Sequence, residues 1–216
     1  MSLKIGVENG SEGRTIAWVL EHLGCFSYGE NSQKALEALP AAVQEYNEWL
    51  LRYEQGAWVI PLDQDFHIDG TWKVYQIDKN FSVASEGYEV NAWFQDDWKP
   101  LAQKEIALGI KLLNMSRADL LSTVEGLGEE TMNLKLSSER WSIAGILKHV
   151  ASAELWYLDR LGMAFPSEQL PSEPGERLDK VRTHMVDILP SLVGSKLVVG
   201  IEGEFWSPHK LLRRAA

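Results

Sequence analysis

The 216-residue sequence contains a single cysteine, Cys25. It therefore forms no internal disulfide, and nothing in it asks for an oxidising compartment. No stretch approaches the ~20 consecutive apolar residues of a membrane-spanning helix. The opening Met1-Ser2-Leu3-Lys4-Ile5 has neither the apolar core nor the small-residue cleavage site of a signal peptide. A cytoplasmic protein is the expectation. Basic residues are also in short supply: 21 Lys and Arg against 31 Asp and Glu leave a net charge of -10. Such a chain is repelled by phosphate backbones unless its positive charge gathers on one face. The densest basic cluster, Lys210, Arg213 and Arg214, reads as the last turns of a helix, where the dipole favours cations. Nucleic acid is disfavoured as a partner on both counts. The sequence further lacks a glycine-rich phosphate loop, a nucleophile elbow, a Cys-x-x-Cys pair, a conspicuous carboxylate pair, internal repeats and low-complexity tracts.

What is present is the balance of a globular protein, 45% hydrophobic and 24% charged. The length suits one large domain or two small ones. Nine tryptophans are many for this length. The spacing of Trp18, Trp49, Trp58, Trp72, Trp93 and Trp98 fits half-buried strands and helix faces, so packing explains them better than an aromatic ligand cage.

The first half reads as mixed α and β. Lys4–Glu8 alternates, Asn9-Gly10 signals a turn, and Arg14–Leu20 is rich in β-branched and aromatic residues, which predicts a strand pair. Gly24–Gly29 follows as a turn or short third strand. Asn31 or Ser32 then caps a helix with Ala35, Leu36, Leu39, Val43, Tyr46 and Leu50 on one face, bent or broken at Pro40. Trp58–Pro61 and Asp65–Ile68 read as extended or loop, Thr71–Ile77 as a strand, and Phe81–Val90 has no clear pattern. Asn91–Pro100 reads as a linker that packs its aromatics.

From Leu101 the pattern is helical. Ala102–Gly126 carries Ile106, Ile110, Leu113, Leu120 and Leu121 on its apolar side. A second helix opens at Trp141-Ser142, with Ser142 as N-cap and Gly162 as the stop, and an apolar stripe of Ile146, Leu147, Val150, Ala153, Leu158 and Leu161. A third runs from about Gly175 to Leu192. Ser207-Pro208 opens a fourth at Lys210, which ends at Ala216 after hardly two turns. Bundles close their cores with helices of similar length, so the fourth is expected to be cut short.

The stretch Glu139-Arg140-Trp141-Ser142-Ile143-Ala144-Gly145-Ile146-Leu147-Lys148-His149-Val150-Ala151-Ser152-Ala153-Glu154 resembles the second helix of the DinB-like superfamily, and Glu204–Arg214 resembles the opening of its fourth. The resemblance covers roughly residues 95 to 216. It implies a four-helix bundle and a divalent metal (Zn, Ni or Mn) held by three histidines, one on the second helix and two in a His-x-x-x-His pair on the fourth. Histidines at i and i+4 share a helix face, and a third from a neighbour leaves an open position that activates a thiol or water. Among this chain's residues the resemblance assigns His149 as metal ligand. The pair is absent, so the chain as it stands is expected to hold no tightly bound metal and to show little activity. His184 is a weak substitute ligand. His209 is expected to face solvent, and His22 and His67 have no partners at ligand spacing. Glu154 lies about 140° round the helix from His149 and reads as an exposed charge or a helix-pair contact. Cys25 has no basic neighbour to activate it and reads as a small hydrophobe.

Gly24-Cys25-Phe26-Ser27-Tyr28-Gly29 leading into the Ala35-Leu36 helix resembles HicB-like modules, known as antitoxin partners of small ribonuclease toxins, over roughly residues 1 to 80. That resemblance implies strand-strand-strand-helix-strand order. Without a DNA-binding tail, the module is an accessory rather than an antitoxin. The expected fold is therefore an α+β domain over residues 1–94, a small antiparallel sheet with one main helix. An all-α up-down bundle over 95–216, incomplete in its fourth helix, follows it. Two functions compete. One is a metal-dependent, thiol-dependent transferase-type protein with a small thiol or other small-molecule substrate and a homodimer as its expected assembly. The other is a non-enzymatic ligand- or protein-binding regulator using the HicB-like module.

Overall fold

The alternating N-terminal pattern becomes β1 (Leu3–Asn9), which pairs antiparallel with β2 (Thr15–Val19). The computed structural model describes residues 2–10, 13–55 and 57–216. The Asn9-Gly10 turn runs into residues 11 and 12, which lie outside the described residues. β3 (Phe26–Gly29) pairs antiparallel with β2, and α1 (Ser32–Tyr53) follows, capped by the Asn31 side chain, which accepts from the Lys34 N–H at 3.0 Å. Such a cap is worth about 1 kcal/mol. Pro40 lies inside α1, and of the two expected outcomes, a bend or a break, the break does not occur.

The fourth strand, β4 (Phe66–Lys73), starts earlier than its sequence signal and pairs parallel with β1, giving the order β3-β2-β1-β4. The expected antiparallel sheet is therefore mixed, because the chain crosses back through α1 before returning to the β1 edge. The predicted 71–77 strand is divided: Val74 separates β4 from β5 (Tyr75–Ile77), which joins β6 (Val83–Ala84) and β7 (Tyr88–Val90) in a second sheet of order β6-β5-β7. One face of the first sheet meets α1, where Ser27 Oγ donates to the Ala35 carbonyl at 2.6 Å. The other face is covered by Trp18, Leu20, Ala92 and Phe94. Gly6 is required there, since a Cβ on it would stand 2.8 Å from the Phe94 ring. The 91–100 segment packs its aromatics as expected and includes a 3-10 turn, Gln95–Trp98.

The helical part comprises α2 (Gln103–Val124), the short α3 (Glu129–Asn133), α4 (Ile143–Asp159) and α5 (Pro174–Ile188). Ser142 caps α4 by accepting from the Gly145 N–H at 3.2 Å, and Gly162 takes a φ of 70° just past its end. Leu147, Ala151 and Leu155 of α4 form a core with Leu178 and Val181 of α5. Ile146 and Leu121, expected on the apolar stripes, are exposed.

After α5 come a 3-10 turn (Leu189–Leu192), the hairpin β8 (Val199–Ile201) and β9 (Glu204–Trp206), and α6 (Pro208–Ala215). By its contacts the chain divides into Met1–Lys99 with Gly200–Arg213, and Pro100–Val199 with Arg214–Ala216. This division differs from the boundary expected at residue 94. Most of α6, expected to open a fourth bundle helix, is grouped with the first unit. Buried charge explains that grouping. Arg213 grips Asp97 through Nη2–Oδ2 at 2.7 Å and Nε–Oδ1 at 3.1 Å, and Lys210 Nζ meets Glu204 Oε1 at 2.6 Å. The cluster read as dipole-stabilised cations thus has two members buried in ion pairs. No helix among the described residues is long and apolar enough to cross a membrane.

Candidate functional site

His149, the expected metal ligand, lies on an exposed face of α4 with its ring 4.4 Å from that of Trp141, which also carries the Arg140 guanidinium at 4.4 Å. Among the described residues no three His, Cys, Asp or Glu side chains gather as a metal would need. His184 is engaged elsewhere: its Nε2 lies 2.8 Å from the Met163 carbonyl, which only accepts, so that nitrogen carries the proton. His209 is buried, contrary to expectation, with Nδ1 3.8 Å from Asp97 Oδ1. His67 contacts Ser2 Oγ at 3.0 Å, and burial lowers the pKa of His22. These residues do not fit a catalytic divalent ion, which takes about three protein ligands round an open position.

Glu154 takes one of its two expected places. It is buried and is the helix-pair contact rather than the exposed charge. Arg117 of α2 and Arg182 of α5 converge on it, with Nη2 groups 2.7 and 2.6 Å from Oε1. Arg117 also donates to the Leu178 carbonyl at 2.8 Å, and Arg182 to the Leu113 carbonyl. Burial pushes the Arg117 guanidinium below its ordinary value against the pull of Glu154. One carboxylate thus fixes three helices in register. The signal was present in the sequence as arginines at apolar-stripe positions, each four residues after a buried leucine (Leu113, Leu178).

Beside the His149 face lies a cleft of about 560 Å³ between α4 and the 164–170 loop. Leu155, Trp156, Ala164, Phe165 and Leu170 give it apolar walls, and Ser152, Asp159 and Ser167 add polar groups. Trp156 comes seven residues after His149, ~20° short of two full turns, and so shares its face. The loop is held from one face of α5: Arg177 Nε donates to the Pro171 carbonyl at 2.7 Å, Lys180 Nζ to the Gln169 carbonyl at 2.7 Å, and His184 Nε2 to that of Met163. Lys180 also lies 4.9 Å above the Phe165 ring. These spacings, three and four residues, place all three donors along one stripe.

Residues 110–188 match the model of the mycothiol-S-transferase family. The matched span runs from within α2 to the last residue of α5. It contains the Arg117–Glu154–Arg182 network, His149 and every residue of the cleft. It supports the DinB-like reading of the helical part. No curated protein and no solved structure matches the chain.

Cys25 is buried, and burial pushes its thiol pKa up to about 12, so it is no nucleophile at neutral pH.

Proposed function

We propose that the helical unit is a DinB-like, transferase-type module that handles a small thiol. The observation that carries this reading is the mycothiol-S-transferase match over residues 110–188, which spans the cleft and the ion-pair network that orders its helices. In such a transfer the thiolate sulfur forms a bond to an electrophilic carbon. The leaving group departs with the electron pair of the broken bond, and the thiol proton passes to solvent. His149 is the histidine donor this reading offers a metal. Among the described residues no three such donors gather, and slow turnover is expected. The test is conjugation of mycothiol to monochlorobimane, followed by fluorescence. A rate proportional to protein concentration supports the reading, and a rate independent of protein contradicts it.

The first unit is proposed as a HicB-like accessory, supported by the Gly24–Gly29 stretch and by its strand-strand-strand-helix-strand order. With Lys210 and Arg213 committed to carboxylates, a labelled DNA duplex at low salt should remain unbound. Salt-sensitive binding would instead favour the regulatory alternative. A cytoplasmic homodimer completes the proposal, and sedimentation at a single-chain mass would remove the dimer from it.

A further inference from the structure

We infer that the cleft between α4 and the 164–170 loop binds an uncharged, planar, largely apolar small molecule. Its walls combine two aromatic rings, Trp156 and Phe165, with Leu155 and Leu170, and its volume of about 560 Å³ exceeds that of a two- or three-ring molecule. Among the described residues lining it, Asp159 is the only charged one. That carboxylate is paired with Arg160, Nη2 to Oδ2 at 3.0 Å, so the walls hold no unmatched charge to compensate an ion for the water it loses. Each ring already carries a cation: Arg160 lies 4.8 Å from the Trp156 ring and Lys180 4.9 Å from that of Phe165. Those contacts hold the two rings in place, and fixed aromatic walls suit a flat aromatic partner.

The cleft is also a built one. Three side chains of a single α5 stripe, Arg177, Lys180 and His184, bond the carbonyls of Pro171, Gln169 and Met163, within the loop and at its two ends, so the rim is positioned before any ligand arrives. Pre-formed rims of this kind reduce the ordering cost of binding. Identifying the bound molecule as the acceptor of the thiol rests on the transferase reading. The binding site itself does not.

The probes are N-phenyl-naphthylamine, which is neutral, and anilinonaphthalene sulfonate, the same skeleton bearing an anionic sulfonate. Both brighten in apolar surroundings, and titration of the full chain without thiol measures binding alone, so failure of transfer and failure of binding are separate results. The neutral dye should saturate one site and bind more tightly than the sulfonate. Ser152→Trp, which fills the cleft from α4, should weaken the neutral dye roughly tenfold or more. Asp159→Asn, an isosteric change at a half-exposed side chain whose amide oxygen can still accept from Arg160, leaves that cation unmatched and should tighten the sulfonate about fivefold while changing the neutral dye little. Absence of neutral-dye binding, or indifference of both dyes to both variants, overturns the assignment.

Discussion

Arg182 and Glu154 meet inside the helical unit as a two-point pair, Nη2 to Oε1 at 2.6 Å and Nε to Oε2 at 3.3 Å, and Arg117 closes on the same Oε1 from α2. Removing the carboxylate leaves two guanidiniums buried without their counter-charge. Glu154→Ala should therefore destabilise the protein by about 3–5 kcal/mol, and Glu154→Gln by less. Urea unfolding checks this. A loss under 1 kcal/mol for Glu154→Ala would mean that the network does not hold the helices.

The Asp97–Arg213 pair makes a prediction in pH. Burial alone would raise the Asp97 carboxyl, but Arg213, His209 and the Phe94 N–H outweigh it and hold the pKa at about 2. Because the folded value lies below that of the unfolded chain, the stabilisation is complete above about pH 4 and drains away as the pH falls toward about 2. It amounts to about 2 kcal/mol. Stability measured from pH 5 to 2 should decline less steeply for Asp97→Asn, though from a lower starting value. Parallel curves would contradict the pairing.

Lys210 is wholly buried, and burial lowers its pKa to about 8 despite Glu204. Lys210→Met alone strands Glu204 and should cost about 3–5 kcal/mol, whereas the double variant with Glu204→Gln should recover part of that loss. A thermal-unfolding cycle that is additive would refute the coupling.

The helices were legible in the sequence because their stripes, the Ser142 cap and the Gly162 stop are local signals, as are the Asn31 cap and the β1–β2 pair. The parallel placement of β4 was not, since Phe66–Lys73 carries mostly exposed side chains and its register depends on β1, some sixty residues away. The fate of α6 was equally hidden. Lys210 and Arg213 look like solvent cations until Glu204 and Asp97 are brought against them. His149 stands out in the sequence by its motif alone, as an expected ligand. The cleft was not legible, because it arises where a loop of weak pattern is pinned by α5.

That pinning predicts local dynamics. Lys180→Ala and Arg177→Ala should raise amide exchange across 163–171 while leaving α2 and the α4 core protected. Uniform exchange in both variants would show that the loop holds itself.

The donor geometry predicts weak metal binding. Zn²⁺ titrated into the chain should bind no more tightly than to His149→Ala, because a single exposed histidine supplies one ligand. Stoichiometric metal lost on that substitution would mean that other donors gather round His149.

The most direct measurement of the central claim is the rate of mycothiol–bimane conjugate formation against protein concentration. A slope that is small but positive, and that requires the thiol, is the predicted result. A slope of zero for mycothiol and for other low-molecular-weight thiols would contradict the transferase reading.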